Sequence, residues 1–171
     1  ILVVHFYGKS AAMTEIVDIC KNRNLLLIED VAQAFGAEHK GRKLGTFGDA
    51  GCFSFSPMKI LPTSGDSGAI AIKNTEIYTR LQSLRLCGTD DSRELCHEIS
   101  SKHVMDSLNA AIANSLLPQI DTLLKKRFHI AKQYANSLSS LPVSLPIKPS
   151  QQFSYDSTFY DFPISFSERE S

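Results

Sequence analysis

The sequence predicts an α/β fold with a mostly parallel sheet and flanking helices, and three observations lead there. Residues 1–7 and 25–28 form short β-rich runs that are nearly all apolar, as parallel strands covered on both faces are. Between them Met13, Ile16, Val17, Ile19 and Cys20 recur at helical spacing. A strand, a helix and a strand within about 30 residues make a βαβ unit, with parallel strands and a right-handed crossover.

The elements follow in order. Gly8 ends the first strand, a helix over 11–22 returns the chain, and the strand at 25–28 closes on Glu29-Asp30. Residues 31–51 hold five of the nine glycines, so a loop-rich connection is expected there rather than a helix. Phe53 and Phe55 alternate with Cys52, Ser54 and Ser56, the period of a strand over 52–56. Pro57 removes a ladder donor, so this strand stops there and Lys59 falls just past its end. Residues 68–72 read as a further strand, and Asn74 as the cap of a helix through Ile77, Leu81 and Leu84. Residues 88–101 are polar and loop-like. Leu108, Ile112, Leu116, Ile120, Leu123 and Leu124 share one stripe of a long helical pattern over 105–138, which Pro118 should kink or split. Pro142, Pro146 and Pro149 mark a boundary, with a strand expected over 157–165. The chain then divides into residues 1–104 as part of a large domain, 105–141 as a long connecting helix region, and 142–171 as the start of a smaller α/β domain.

Composition narrows the function classes. Eighteen basic and 18 acidic residues leave no formal net charge, so nucleic acid and anionic membrane are not expected partners. No apolar run approaches the roughly 18–20 residues that span a bilayer, and no secretory signal is visible. Cys20, Cys52, Cys87 and Cys96 lack Cys-x-x-Cys spacing, so no metal site or disulfide framework is expected, and a reducing cytoplasm is the default. The chain opens on Ile1 inside an apolar run, and is expected to be the middle portion of a longer polypeptide.

Ligands bind beyond the carboxyl ends of strands in open α/β sheets, which singles out Asp30 and Lys59. Taken singly, each has a plain alternative. Lys59 reads as a solvated charge or as an amine held for chemistry, and Asp30 as a cap or as a functional carboxylate. Gln33 reads as a loop residue, Ser54 as a strand hydroxyl, and His5 as a satisfied core histidine.

Together they fit a known pattern. The stretches Ile28-Glu29-Asp30-Val31-Ala32-Gln33-Ala34-Phe35-Gly36-Ala37, Gly45-Thr46-Phe47-Gly48-Asp49 running into Phe53-Ser54-Phe55, and Gly65-Asp66-Ser67-Gly68-Ala69 occur in that order. With Val4-His5-Phe6-Tyr7-Gly8 before them, they resemble the DegT/DnrJ/EryC1/StrS family of sugar aminotransferases. The segment 100–112 also resembles a family motif, although Ser100 stands where the family has glycine and Val104 at a position usually polar.

The resemblance implies an aspartate aminotransferase-like large domain and the cofactor pyridoxal 5′-phosphate (PLP). It implies that Lys59 tethers the cofactor through its amine and returns as general acid and base. Asp30 would hold the pyridine nitrogen protonated, Gln33 would contact the ring, and Ser54 would bind the cofactor phosphate. Lys102 would reach the cofactor phosphate of a neighbouring subunit. The reaction implied is amino transfer, from glutamate to a ketone on a nucleotide-linked sugar, by a homodimer with shared active sites. A PLP-dependent sugar dehydratase of the same family and a non-catalytic protein keeping the fold stay open as alternatives.

Overall fold

The computed structural model describes residues 1–89, 92 and 94–166. Its centre is a four-stranded sheet built from β1 (Leu2–Val4), β2 (Ile28–Asp30), β5 (Ala50–Ser54) and β6 (Gly68–Ile72), in the order β1-β2-β5-β6. β1, β2 and β5 run parallel, with Val4 opposite Asp30 and Asp30 opposite Cys52. β6 is antiparallel to β5. Helix α1 (Met13–Asn22) crosses between β1 and β2. It lays Met13 and Cys20 against Val3, Leu27, Val31, Ala34, Ala37 and Leu44, and these buried residues form one core. On the opposite face of the sheet Leu2, Val4, Ile28 and Ile70 are exposed.

The strand expected over 68–72 is found at those bounds, and the three before it are found with shifted bounds. The first ends at Val4, because the chain then turns through Phe6–Gly8 with Tyr7 at φ 56°. The second starts only at Ile28, where pairing with Leu2 begins; the preceding Leu27 is held instead by its N–H to Asp49. The third begins at Ala50 rather than Cys52, which puts Gly51 against the Gly45 backbone, where a Cβ would lie 2.3 Å from the Gly45 carbonyl oxygen. A side chain at this position would push the strand off the loop that crosses it.

The loop-rich connection contains a hairpin, β3 (Glu38–His39) with β4 (Arg42–Lys43). Its central residues Lys40 and Gly41 both have positive φ, 52° and 79°. Two such residues make the turn whose twist matches the strands. Lys40 in the first position, where asparagine or aspartate is usual, hides this turn in the sequence.

Helix α2 (Thr75–Arg85) begins at Asn74, whose Oδ1 accepts from the Glu76 and Ile77 N–H groups, as the cap reading expects. The long helical pattern divides at Pro118 as expected. α3 (Ser107–Leu116) leads into a tight turn at Leu117–Gln119, and α4 (Ile120–Leu138) follows. Along α4, Ile120 and Leu124 pack on Phe55, Ile60 and Leu61, and Phe128, Ala131 and Ala135 pack on Ile147.

The strand expected over 157–165 does not form as one element. Ser157 makes a single bridge to Lys9, and only β8 (Ser165–Phe166) pairs, with β7 (Val143–Ser144). Thr158, Phe159 and Tyr160 are held instead by hydrogen bonds to Gly8, Gln33, Tyr7 and Arg127. Among the described residues no helix is long and apolar enough to cross a membrane.

Candidate functional site at the strand ends

Parallel pairing places the carboxyl ends of β1, β2 and β5 side by side. Asp30 ends β2 opposite Cys52, and Ser54 lies two residues further on the same face of β5. The Asp30 Oδ1 accepts from the Ala32 N–H at 2.9 Å, while Oδ2 has no hydrogen bond among the described residues. Burial and then the Asp30 charge push the Cys52 thiol above its usual range. Cys52 is therefore a neutral neighbour.

Pro57 and the two residues after it form a turn, closed by the Lys59 N–H to the Ser56 carbonyl at 2.9 Å. Lys59 is half-buried. Its Nζ lies 5.0 Å from the centroid of the Tyr160 ring, and among the described residues it makes no ion pair or hydrogen bond. The Ser54 hydroxyl makes only long contacts, 3.4 and 3.5 Å, to Ser56.

Gln33 is tied to the turn after β1, because its Oε1 accepts from the Tyr7 N–H at 2.7 Å. Its Nε2 has no partner among the described residues. Asp30, Gln33, Ser54 and Lys59 thus share one strand-end region, with Tyr7 and Tyr160 linking Gln33 to Lys59. Lys102 is exposed and bridged to Leu86 just beyond α2; no hydrogen bond joins its side chain to the other four.

Behind the strand ends is a buried pair. His5 and Glu29 are both fully buried, with His5 Nε2 3.3 Å from Glu29 Oε2. The His5 Nδ1 accepts from the Ala11 N–H at 3.2 Å, so the proton sits on Nε2 and is donated to the carboxylate. Glu29 also accepts from the backbone N–H groups of Gly45, Phe47 and Gly48 at 2.7 to 2.8 Å. Burial alone would raise the carboxyl; the hydrogen bonds from His5, Gly48, Gly45 and Phe47 together outweigh it and hold the carboxyl below its ordinary value. The reading of His5 as a satisfied core histidine agrees with this geometry. Glu29 was legible only as the end of a strand.

Three residues that sequence reasoning passed over complete the region. The segment 155–160 runs past the strand ends, where the Thr158 N–H donates to the Gly8 carbonyl at 2.9 Å and the Tyr160 N–H to the Tyr7 carbonyl at 3.1 Å. The Thr158 Oγ1 donates to the Gln33 carbonyl at 2.9 Å. Gly8, at φ 84°, leaves room for this approach, since a Cβ there would meet Thr158 Oγ1 at 2.0 Å. Arg127 on α4 fixes the segment by donating to the carbonyls of Thr158, Phe159 and Tyr160 at 2.9 to 3.2 Å. No local pattern marks Arg127 or Thr158, whose partners are about 30 or more residues away in the chain.

The model of the DegT/DnrJ/EryC1/StrS aminotransferase family matches residues 1–171. The chain belongs to that family. It is 36% identical to a GDP-perosamine synthase of Escherichia coli O157:H7 over 82% of this chain and 39% of that protein. A UDP-N-acetyl-3-dehydro-alpha-D-glucosamine 3-aminotransferase of Acidithiobacillus ferrooxidans is 33% identical across 100% of the chain, which covers 45% of that relative. Among solved structures, S. venezuelae DesV superposes with a TM-score of 0.87 at 30% identity, over 98% of this chain and 44% of its own. The chain therefore spans less than half the length of the relatives it matches. The family's fold is the α/β fold expected, with the antiparallel β6 as the exception within an otherwise parallel sheet.

Proposed function

We propose that the protein containing this chain is a PLP-dependent aminotransferase that carries an amino group, with glutamate as donor, to a keto group of a nucleotide-linked sugar. The observation that carries the reading is a half-buried lysine whose amine has no carboxylate partner among the described residues, at the same strand ends as an aspartate with one oxygen uncommitted among them. An amine engaged in no ion pair at a ligand-binding edge is open to a ligand.

The donor set fits the cofactor. Bound there, PLP supplies an aldehyde that accepts amines and a ring that draws off electrons. Lys59 would hold it through Nζ and, as a free amine, move the proton that amino transfer requires. Asp30 is oriented by Ala32, so that Oδ2 remains to hold a proton on the ring nitrogen. Ser54 would donate its weakly engaged hydroxyl to the phosphate, and Gln33 would offer its free Nε2 to the ring. Lys102 would serve the phosphate in a neighbouring subunit of a homodimer.

Residues 1–104 would belong to the cofactor-binding domain, 105–141 to a connecting helix region and 142–171 to the start of the smaller domain. A nucleotide-linked sugar as acceptor rests on the relatives named above, one a GDP-perosamine synthase and another an aminotransferase of a UDP-linked sugar. A cytoplasmic location is part of this reading, since four cysteines without Cys-x-x-Cys spacing suit a reducing compartment.

The test is the visible absorbance of the full-length protein with PLP, before and after borohydride. Reduction should fix the chromophore covalently to Lys59, and Lys59→Ala should bind without fixation. A full-length wild-type protein that takes up no PLP would refute the reading.

A further inference from the structure

Lys59 is half-buried and makes no ion pair among the described residues, and its side chain is directed at one aromatic face. The Tyr160 ring centroid is 5.0 Å from Nζ, within the range over which a ring quadrupole attracts a cation. This ring is not a loose surface tyrosine. Its backbone is pinned on both sides, by its N–H to the Tyr7 carbonyl and by its carbonyl to Arg127. Its side chain packs against the cluster of Phe55, Ile60 and Leu61, which flanks the lysine in sequence.

We propose that Tyr160 is a positioning residue for Lys59, its ring face holding the amine at the strand ends whenever the lysine is not bonded to cofactor. The proposal rests on the PLP reading above and deepens it. Amino transfer would free the lysine in the first half-reaction and leave it unbonded until the end of the second, and a four-carbon stem then has many rotamers to explore. A fixed π face next to Nζ narrows that search, so the amine stays within reach of its partner. A carboxylate in the same place would also hold the lysine, but at the cost of a strong ion pair that must be broken before the amine can react. A neutral ring offers a weaker, non-bonding rest position.

The experiment measures the rate at which the full-length apoprotein captures PLP onto Lys59, read as the borohydride-fixed fraction against time. Capture begins when Nζ passes its proton to water; the neutral amine then bonds to the aldehyde carbon and the aldehyde oxygen leaves as water, with no other reactant needed. Tyr160→Phe keeps the ring face and should capture within about twofold of wild type. Tyr160→Leu should capture about 3- to 30-fold more slowly, the range that a cation–π contact spans. Because Tyr160→Leu disturbs packing, Tyr160 is also replaced by pentafluorophenylalanine, which keeps the shape and reverses the ring quadrupole; slow capture is again expected.

Affinity for pyridoxamine phosphate, which cannot bond to Lys59, separates positioning from a damaged pocket and should stay within about twofold in every variant. Fast capture with the fluorinated ring, or Tyr160→Phe as slow as Tyr160→Leu, would overturn the proposal. So would loss of pyridoxamine phosphate affinity in step with capture. No capture by wild type would overturn the cofactor reading and this proposal together, whereas wild-type capture with unaffected variants overturns only the role of Tyr160.

Discussion

A carboxylate withdrawn fully from water must find its donors in the protein, and Glu29 finds four: the His5 ring and three backbone N–H groups of the 45–48 loop. The side chain therefore pins a glycine-rich loop to the back of β2, one residue before the Asp30 carboxylate at the front. Glu29→Gln would put an amide donor where N–H groups converge, and is expected to cost about 2–3 kcal/mol, measured by denaturant unfolding. The pH dependence has a definite sign. The folded carboxyl titrates below its ordinary value, so its contribution is complete above that ordinary value and is lost as pH falls through the folded one. The stability gap between wild type and Glu29→Gln should accordingly narrow on acidification; a constant gap would mean that the buried group is not a carboxylate anion. Sequence alone reads Glu29 as a strand-end acid, because burial of a charge becomes visible only when its donors do.

At the scale of elements, α3 is held at both its start and its side by one short network. Asp106 caps the helix by accepting from the Asn109 N–H at 2.8 Å, and its other oxygen accepts from the Asn109 side-chain amide at 2.8 Å. Asn109 in turn accepts from the N–H and hydroxyl of Ser64, five residues after Lys59. The helix start is thereby coupled to the loop that follows the candidate lysine. Asp106→Ala removes the cap and should lower stability by about 1–2 kcal/mol, with Asp106→Asn recovering most of it. Equal loss in both variants would assign the effect to charge rather than to capping. The split at Pro118 was legible because proline acts locally: it has no N–H to continue the helix. The β3–β4 hairpin was not, because a lysine in left-handed backbone conformation carries no sequence mark.

At the scale of the whole molecule, the segment 155–160 decides how the C-terminal part of the chain meets the strand ends. Arg127 is the clamp; burial pushes its guanidinium below its ordinary value while it donates to three successive carbonyls. Arg127→Ala should leave those carbonyls without donors and cost about 2–3 kcal/mol by chemical denaturation. Arg127→Lys, a point charge without the planar fork, should recover only part of it. Full recovery by lysine would show that charge alone holds the segment. The sequence by itself determined the βαβ start, the broken long helix, the turn that presents Lys59, and the family to which the chain belongs. Each rests on a local signal: a hydrophobic period, a proline, or a run of residue types at fixed spacing. The tertiary structure alone decided that 155–160 crosses the strand ends, that Tyr160 lies beside Lys59, and that Glu29 is buried with His5. Those contacts join residues 24 to 125 positions apart, and no local preference of the backbone encodes a partner at such a distance.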